Sequence, residues 1–209
     1  MSDLQKLNDV KTYLRDIKFK LILDNNNNIT LGDLPFSHFN NFFVKLFYPK
    51  RAKYLNTLLK FDSILTGSGA LSTYRYKGKP IFNRGINDFD FIISRDNFVS
   101  FCGVYNLDKV VYEKNFLSIN VNTGKYRGYD HYGYYRGYSF GCDYDLIGTD
   151  EKINYTIQNG CKVENFLDII HSKLELAETL EPKQRGKHIN DLWNIITRIS
   201  AIDSGINCK

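Results

Sequence analysis

Two stretches of the sequence decide the fold, LTGSGAL at residues 65–71 and RGINDFDFII at residues 84–93. The first is typical of a strand that ends in a glycine turn and continues into a short helix, and the second predicts a strand from Phe89 to Ser94. Because side chains two apart on a strand share a face, the carboxylates of Asp88 and Asp90 point to one side, while the alternating phenylalanines face the core.

The two carboxylates of the DFD pattern carry like charges that repel each other unless a cation lies between them. A divalent ion that prefers hard oxygen ligands, most simply Mg²⁺, removes that repulsion and completes its coordination with waters and substrate phosphates. A charged strand edge that binds nothing is the simpler interpretation of an isolated DxD pattern. The surrounding sequence therefore has to decide between the two.

Those surroundings contain a candidate phosphate-binding turn and a candidate third carboxylate. The backbone N–H groups of a turn such as Gly67-Ser68 can approach phosphate oxygens, although most GSG turns bind nothing. In FGCDYDLI at residues 140–147, strand alternation places Asp143 and Asp145 on one face. Either of them, brought to the DxD pair, would supply the third carboxylate of a two-metal phosphoryl-transfer site.

The order of these parts resembles the nucleotidyltransferase superfamily, whose catalytic core is like that of DNA polymerase β. More narrowly, the chain is similar to the AbiEii-like nucleotidyltransferases of type IV toxin–antitoxin systems. Four parts carry this similarity between about residues 61 and 197, namely GSGAL, RGINDFDFII, a helical IIHSKLELA at residues 169–177 and KHINDL at residues 187–192. The last motif is partial, because His188 stands where the family has an acid.

The resemblance implies roles for individual residues. The implied site consists of the phosphate-binding Gly67 and Ser68, the metal-binding and catalytic Asp88, Asp90 and Asp145, the nucleotide-binding Arg84 and Lys173, and Asp191, which supports the site from a neighbouring helix. Asp145 is preferred to Asp143 because the third acid of the family is followed by two apolar residues. The 19 residues between Ser68 and Asp88 form a longer linker than in compact members, which the AbiEii-like group tolerates.

Helical spacing dominates both ends of the chain. Apolar residues recur every three or four positions in residues 2–23, 163–180 and 189–202, and Ser2 with Gln5 fits a capping box. Lys173 is expected at the edge of the second apolar stripe, with its stem on the core and its amine towards a cleft. Further strands are predicted at residues 109–112, 116–121 and 138–147, and further helical spacing at residues 50–60.

This succession of helices, strands and helices predicts an α+β fold. With the resemblance, we expect a nucleotidyltransferase core of a mixed β-sheet covered by helices. The corresponding division is a helical N-terminal region at residues 1–60, the core at residues 61–150, and a C-terminal helical region at residues 151–209 packed on the core.

Composition and charge narrow the class of protein. The chain has 209 residues, of which 43% are hydrophobic and 24% charged, enough to bury a core. Residues 1–60 hold ten basic and five acidic side chains, so the whole net charge of +5 lies there and favours a phosphate-rich partner. The four cysteines form no CxxC pair and no apolar run is long enough to span a membrane, so we expect a cytoplasmic protein with reduced thiols and no membrane partner.

A tyrosine-rich segment lies at residues 124–141 and repeats Tyr-Arg-Gly-Tyr at residues 126–129 and 135–138. Tyrosine rings among basic side chains can stack nucleobases while the cations hold phosphates. A glycine-rich hairpin whose tyrosines pair across strands is the alternative, and the two interpretations are compatible.

Together with the resemblance, these features predict an Mg²⁺-dependent nucleotidyltransferase that moves a nucleoside monophosphate from an NTP to an acceptor hydroxyl and releases pyrophosphate. The expected acceptor is tRNA or another RNA, and a toxin of this kind would have an antitoxin protein as partner. A protein or small-molecule acceptor is the alternative within this chemistry. An alternative of another class is a protein with the same fold that binds a nucleotide or a partner without turnover.

Overall fold

A computed structural model describes residues 2–23, 29–32, 60–86, 88–104, 125–126, 129–130, 133–139 and 142–205. These residues form five helices and eleven strands, which confirms the predicted α+β class. The helices are α1 (Asp3–Leu23), α2 (Gly67–Leu71), α3 (Arg95–Val104), α4 (Phe166–Thr179) and α5 (Pro182–Asp203).

The strands are short, with two to seven residues each. They are β1 (Ile29–Leu31), β2 (Ile64–Thr66), β3 (Tyr74–Tyr76), β4 (Lys79–Pro80), β5 (Asp88–Ile93), β6 (Lys125–Tyr126), β7 (Tyr129–Asp130), β8 (Gly133–Ser139), β9 (Cys142–Gly148), β10 (Tyr155–Gln158) and β11 (Cys161–Glu164).

The chain separates into two compact units. The helical unit contains the described residues of 1–33, 71–84 and 166–209, and the sheet unit contains those of 34–70 and 85–165. The division predicted at residues 60 and 150 stays a prediction, because residues 33–59 lie outside the described part.

The sheet unit is built on a six-stranded sheet with the order β10-β11-β2-β5-β9-β8. Parallel pairs join β11 to β2 and β5 to β9, and the other neighbours are antiparallel, so the sheet is mixed as expected. Phe89 and Phe91 are buried as predicted from the alternation of β5, and Ile92 packs with Ile147 of β9. The central strands therefore hold the core of this unit.

Two predictions of secondary structure in this unit are wrong. The single strand predicted at residues 138–147 is divided between β8 and β9, which are antiparallel with Ser139 opposite Cys142. Val163, expected on a helix, lies on β11. Val163 is part of the β10–β11 hairpin, which turns at Asn159 and Gly160, both with positive φ, and such an Asn-Gly pair is a strong hairpin signal.

The helical unit contains the long helices α1, α4 and α5 and a three-stranded antiparallel sheet with the order β1-β3-β4. α5 packs against both α1 and α4. Ser2 Oγ accepts a hydrogen bond from the backbone N–H of Gln5 at 3.2 Å, which confirms one half of the capping box. Leu7 and Val10 of α1 are buried, but Leu4, expected on the same face, is 60% exposed in the first turn of the helix.

The tyrosine-rich segment contains backbone pairing of the hairpin kind. β6 and β7 are antiparallel with Tyr126 opposite Tyr129, and β8 pairs with β9. The role of these tyrosines in base stacking stays a prediction, since their side chains lie outside the described part.

Other expectations also fall outside the described residues. They are the helical spacing at residues 50–59 and the strands at residues 109–112 and 116–121. Within the described chain, none of the helices combines the length and the apolar character that crossing a membrane would require.

Candidate metal centre

Three aspartates meet on two neighbouring parallel strands of the sheet unit. Asp90 of β5 pairs in register with Asp145 of β9, and Asp88 lies two residues before Asp90 on the same face. One carboxylate oxygen from each of the three lies within 4.8 Å of the others. The structure therefore brings together the three acids that the sequence singled out as metal ligands, and we call them the acid cluster.

Burial makes this acid cluster costly without a cation. Asp90 is 1% exposed and Asp145 is fully buried, while Asp88 is partly exposed. Like charges so close together in a poorly solvated site destabilise one another. Three convergent carboxylates form the hard-oxygen donor set that Mg²⁺ prefers, and they leave coordination positions for water and substrate oxygens. The residues present thus fit Mg²⁺ by their chemistry.

The choice between Asp143 and Asp145 as the third carboxylate stays a prediction. The backbone of Asp143 is in register with that of Asp88, but its side chain lies outside the described part. Among the described side chains, Asp145 is the one that joins the DxD pair.

The glycine turn lies directly against the acid cluster. Gly67 follows β2 with a φ of +62°, a conformation that residues other than glycine rarely adopt. A Cβ at this position would collide with Asp90 Oδ2, so a side chain here would also push the carboxylate away. The next residue, Ser68, is buried at the start of α2. The predicted phosphate-binding pair and the predicted metal ligands therefore share one site.

Two residues beside this turn were missed by the sequence reasoning. Glu164, at the end of β11, is fully buried, and Thr66 Oγ1 donates a hydrogen bond to its Oε2. The available signal was an acid directly after the alternating residues Cys161, Lys162 and Val163, which the helical interpretation of residues 163–180 concealed.

The remaining predicted residues form a second group in the helical unit. Lys173 Nζ donates to Asp191 Oδ2 at 2.8 Å, and Arg84 Nε donates to Asp191 Oδ1 at 2.9 Å. Lys173 is only 5% exposed and lies inside the buried stripe of α4, so its expected position at the stripe edge is wrong. The ion pair with Asp191 offsets part of the cost of burying its amine. The nucleotide-binding roles of Arg84 and Lys173 stay predictions.

Opposing effects act on the pKa of Asp191. Burial by itself would raise the pKa, but the charges of Lys173 and Arg84, with their hydrogen bonds, outweigh it and hold the pKa below the ordinary value of 3.8. A carboxyl whose pKa is lowered by folding stabilises the protein above its unfolded-state pKa, and this contribution disappears as the pH falls through the folded-state value.

We therefore expect Asp191 to contribute to acid unfolding below about pH 4. Urea unfolding between pH 2 and pH 6 should show a stability advantage of the wild type over Asp191→Asn that shrinks as the pH falls below 3.8. A difference that stays constant over this range would contradict the expected linkage.

The predicted site residues thus fall into two groups, one in each compact unit. Gly67 and Ser68 lie with the acid cluster in the sheet unit, and Arg84, Lys173 and Asp191 lie together in the helical unit. Comparisons of the chain with protein-family models, with curated proteins and with solved structures give no match.

Proposed function

We propose that this chain is an Mg²⁺-dependent nucleotidyltransferase that transfers a nucleoside monophosphate from an NTP to an acceptor hydroxyl. The observation that carries the proposal is the acid cluster, with oxygens of Asp88, Asp90 and Asp145 within 4.8 Å of one another, directly beside the Gly67 turn. A buried carboxylate cluster next to a backbone turn suits a ligand that combines divalent cations with phosphates.

Each part of the site has a distinct task in this proposal. Bound Mg²⁺ would neutralise charge on the triphosphate during transfer. Asp88 and Asp90 would hold the ions, and the backbone N–H groups of Gly67 and Ser68 would donate hydrogen bonds to the outer phosphates. The absence of a side chain at Gly67 lets the backbone approach both Asp90 and the phosphates.

The reaction forms one bond and breaks another at the α-phosphorus. The acceptor oxygen attacks that phosphorus, the bond to the β-phosphate oxygen breaks, and its electron pair leaves with pyrophosphate. The proton of the acceptor hydroxyl passes to solvent or to Asp145, unless that carboxylate serves only as a metal ligand. Positioning and charge stabilisation supply most of the rate in such reactions, so the protein needs no covalent intermediate.

RNA, and tRNA in particular, is the acceptor that we favour. The AbiEii-like toxins that the chain resembles include enzymes that extend tRNA 3′ ends. The net charge of +5 carried by residues 1–60 is complementary to the negative charge of RNA, since basic side chains bind the phosphate backbone. Binding through this region would weaken steeply with added salt.

The position of the label tests the proposed reaction. We expect incubation with Mg²⁺, total RNA and each α-³²P-labelled NTP to label RNA and release pyrophosphate, whereas γ-³²P-labelled NTP should leave the RNA unlabelled. Asp88→Ala combined with Asp90→Ala should remove the labelling. Asp96→Asn is the matched control, because Asp96 is an exposed acid of α3 outside the cluster.

Other outcomes point to the alternatives. Labelling of a protein or small molecule instead of RNA, when cell lysate is supplied, would keep the chemistry and change the acceptor. NTP binding without pyrophosphate release over any acceptor would favour a nucleotide-binding protein. Labelling that survives in the double Asp88 and Asp90 variant would overturn the proposed mechanism.

A further inference from the structure

A row of polar side chains crosses four neighbouring strands of the sheet unit. Thr66 of β2 pairs with Asp90 of β5, and Asp90 pairs with Asp145 of β9. On the other side of β2, Val163 of β11 pairs with Leu65, so Glu164 lies one step further along, beside Thr66. Directly paired residues share a face of a sheet. The row therefore extends the acid cluster by two strands.

Burial of the Glu164 carboxyl group in this position costs free energy. Glu164 is fully buried, and so are the apolar residues that precede it and Thr66 on their strands, Val163 and Leu65. A buried carboxyl group costs free energy unless its hydrogen bonds are made, whereas an apolar side chain would pack there without that cost. The hydrogen bond from Thr66 Oγ1 meets part of this requirement. The contact with Thr66 is one that an apolar side chain at this position could not make.

The partner of Glu164 connects it to the metal centre. Thr66 is the last residue of β2, and the next residue is Gly67, where an added Cβ would collide with Asp90 Oδ2. A hydrogen bond that holds the Thr66 side chain on the β11 side also restricts where the chain enters the turn. Displacements well below 1 Å matter in sites that orient phosphates and metal ligands.

We infer that Glu164 is a positioning residue of the acid cluster, which acts through Thr66 to fix the Gly67 turn against Asp90. The inference rests on the proposed function, because it assigns the turn and the cluster to one metal and nucleotide site. Glu164 itself touches neither metal nor substrate in this role. Its contribution is the hydrogen-bond acceptor that it presents to Thr66.

The test measures Mn²⁺ affinity by electron paramagnetic resonance, and kcat and KM for NTP, in the full chain. Thr66→Val keeps the shape of the side chain and removes the hydroxyl, so we expect Mn²⁺ affinity to fall and KM to rise by about tenfold, with a smaller change in kcat. Thr66→Ser and Glu164→Gln keep the donor and the acceptor, and both should stay within about threefold of the wild type.

Thr149→Val is the matched control. Thr149 is also buried, and its Oγ1 accepts a hydrogen bond from the N–H of Glu151, but it lies beyond the end of β9. An equal loss of Mn²⁺ affinity in this control would mean general destabilisation and would overturn the inference. A loss in Glu164→Gln as large as in Asp90→Asn would overturn it too, since the charge of Glu164 would then matter and not its position.

The outcomes separate this inference from the proposed function. A wild type that neither binds Mn²⁺ nor transfers label overturns both. A wild type that does both, with Thr66→Val unchanged in Mn²⁺ affinity and KM, overturns the inference alone. If Thr66→Val does not yield folded protein, Thr66→Ala takes its place with the same expectations.

Discussion

Asp90→Asn is expected to reduce nucleotide transfer by about a thousandfold and to abolish the stabilisation of the fold by Mg²⁺ or Mn²⁺. Asp90 is 1% exposed and its carboxylate lies against the other two acids and the glycine turn. An amide in its place keeps nearly the same shape but loses the negative charge that attracts the cation. The variant therefore separates charge from packing.

Thermal unfolding measures the metal effect without any assay of activity. For the wild type, a cation at about 100 times its dissociation constant should add about 2.7 kcal/mol to the free energy of unfolding. In a protein of this size that corresponds to a rise in Tm of about 5–10 °C. With a chelator present, Asp90→Asn should be at least as stable as the wild type, because one of three neighbouring like charges is gone.

Asp96→Asn again provides the control, since it removes an exposed acid of the same unit and should leave the metal-dependent rise in Tm intact. The acid cluster would be excluded as the metal site if Asp90→Asn kept the full rise. A variant that loses the rise but keeps nucleotide transfer would show that the cation and the chemistry belong to different places.

Asp191→Ala is expected to cost about 3–5 kcal/mol in the free energy of unfolding. The truncation leaves the amine of Lys173, only 5% exposed, without the carboxylate that it contacts at 2.8 Å. Breaking one side of a buried ion pair destabilises strongly, because a buried charge loses the opposite charge that it contacts. Arg84 is less affected, since about a third of its side chain is exposed, at 30%.

Equilibrium unfolding in urea checks this value against Glu178→Ala. Glu178 pairs with Lys11, but both side chains are about two-fifths exposed, so this control should lose less than about 1 kcal/mol. Adding Lys173→Met to Asp191→Ala should restore much of the stability, because the buried charge is removed as well. Equal losses in the two single variants would show that burial of the pair is energetically irrelevant.

The acid cluster was largely predictable from the sequence. Strand alternation placed Asp88 and Asp90 on one face, and the same periodicity placed Asp145 on a face of a later strand. What the alternation could not provide was the partner strand. Parallel pairing of β5 with β9 is a non-local choice, and only the register of the two strands brings Asp145 opposite Asp90.

Periodicity failed where two patterns competed in one segment. The apolar spacing around Val163 fits a helix, but the Asn159-Gly160 turn leads into a strand there. Because residues 163–180 were predicted as a helix, Glu164 was not recognised as a strand residue beside Thr66. Lys173 was placed at a stripe edge because a charged side chain inside a buried stripe is rare. Its burial depends on Asp191 of another helix, and no local pattern contains that contact.

The parallel pairing of β5 and β9 also determines when the acid cluster can form during synthesis of the chain. Residues 94–141 separate the two strands. Bringing the ends of so long a segment together lowers the conformational entropy of the chain before strand pairing offsets this loss. At a synthesis rate of about 5–20 residues per second, Asp90 leaves the ribosome several seconds before Asp145, and Glu164 follows later still. The nascent protein therefore stays without a complete acid cluster until the strand that carries Asp145 has left the ribosome.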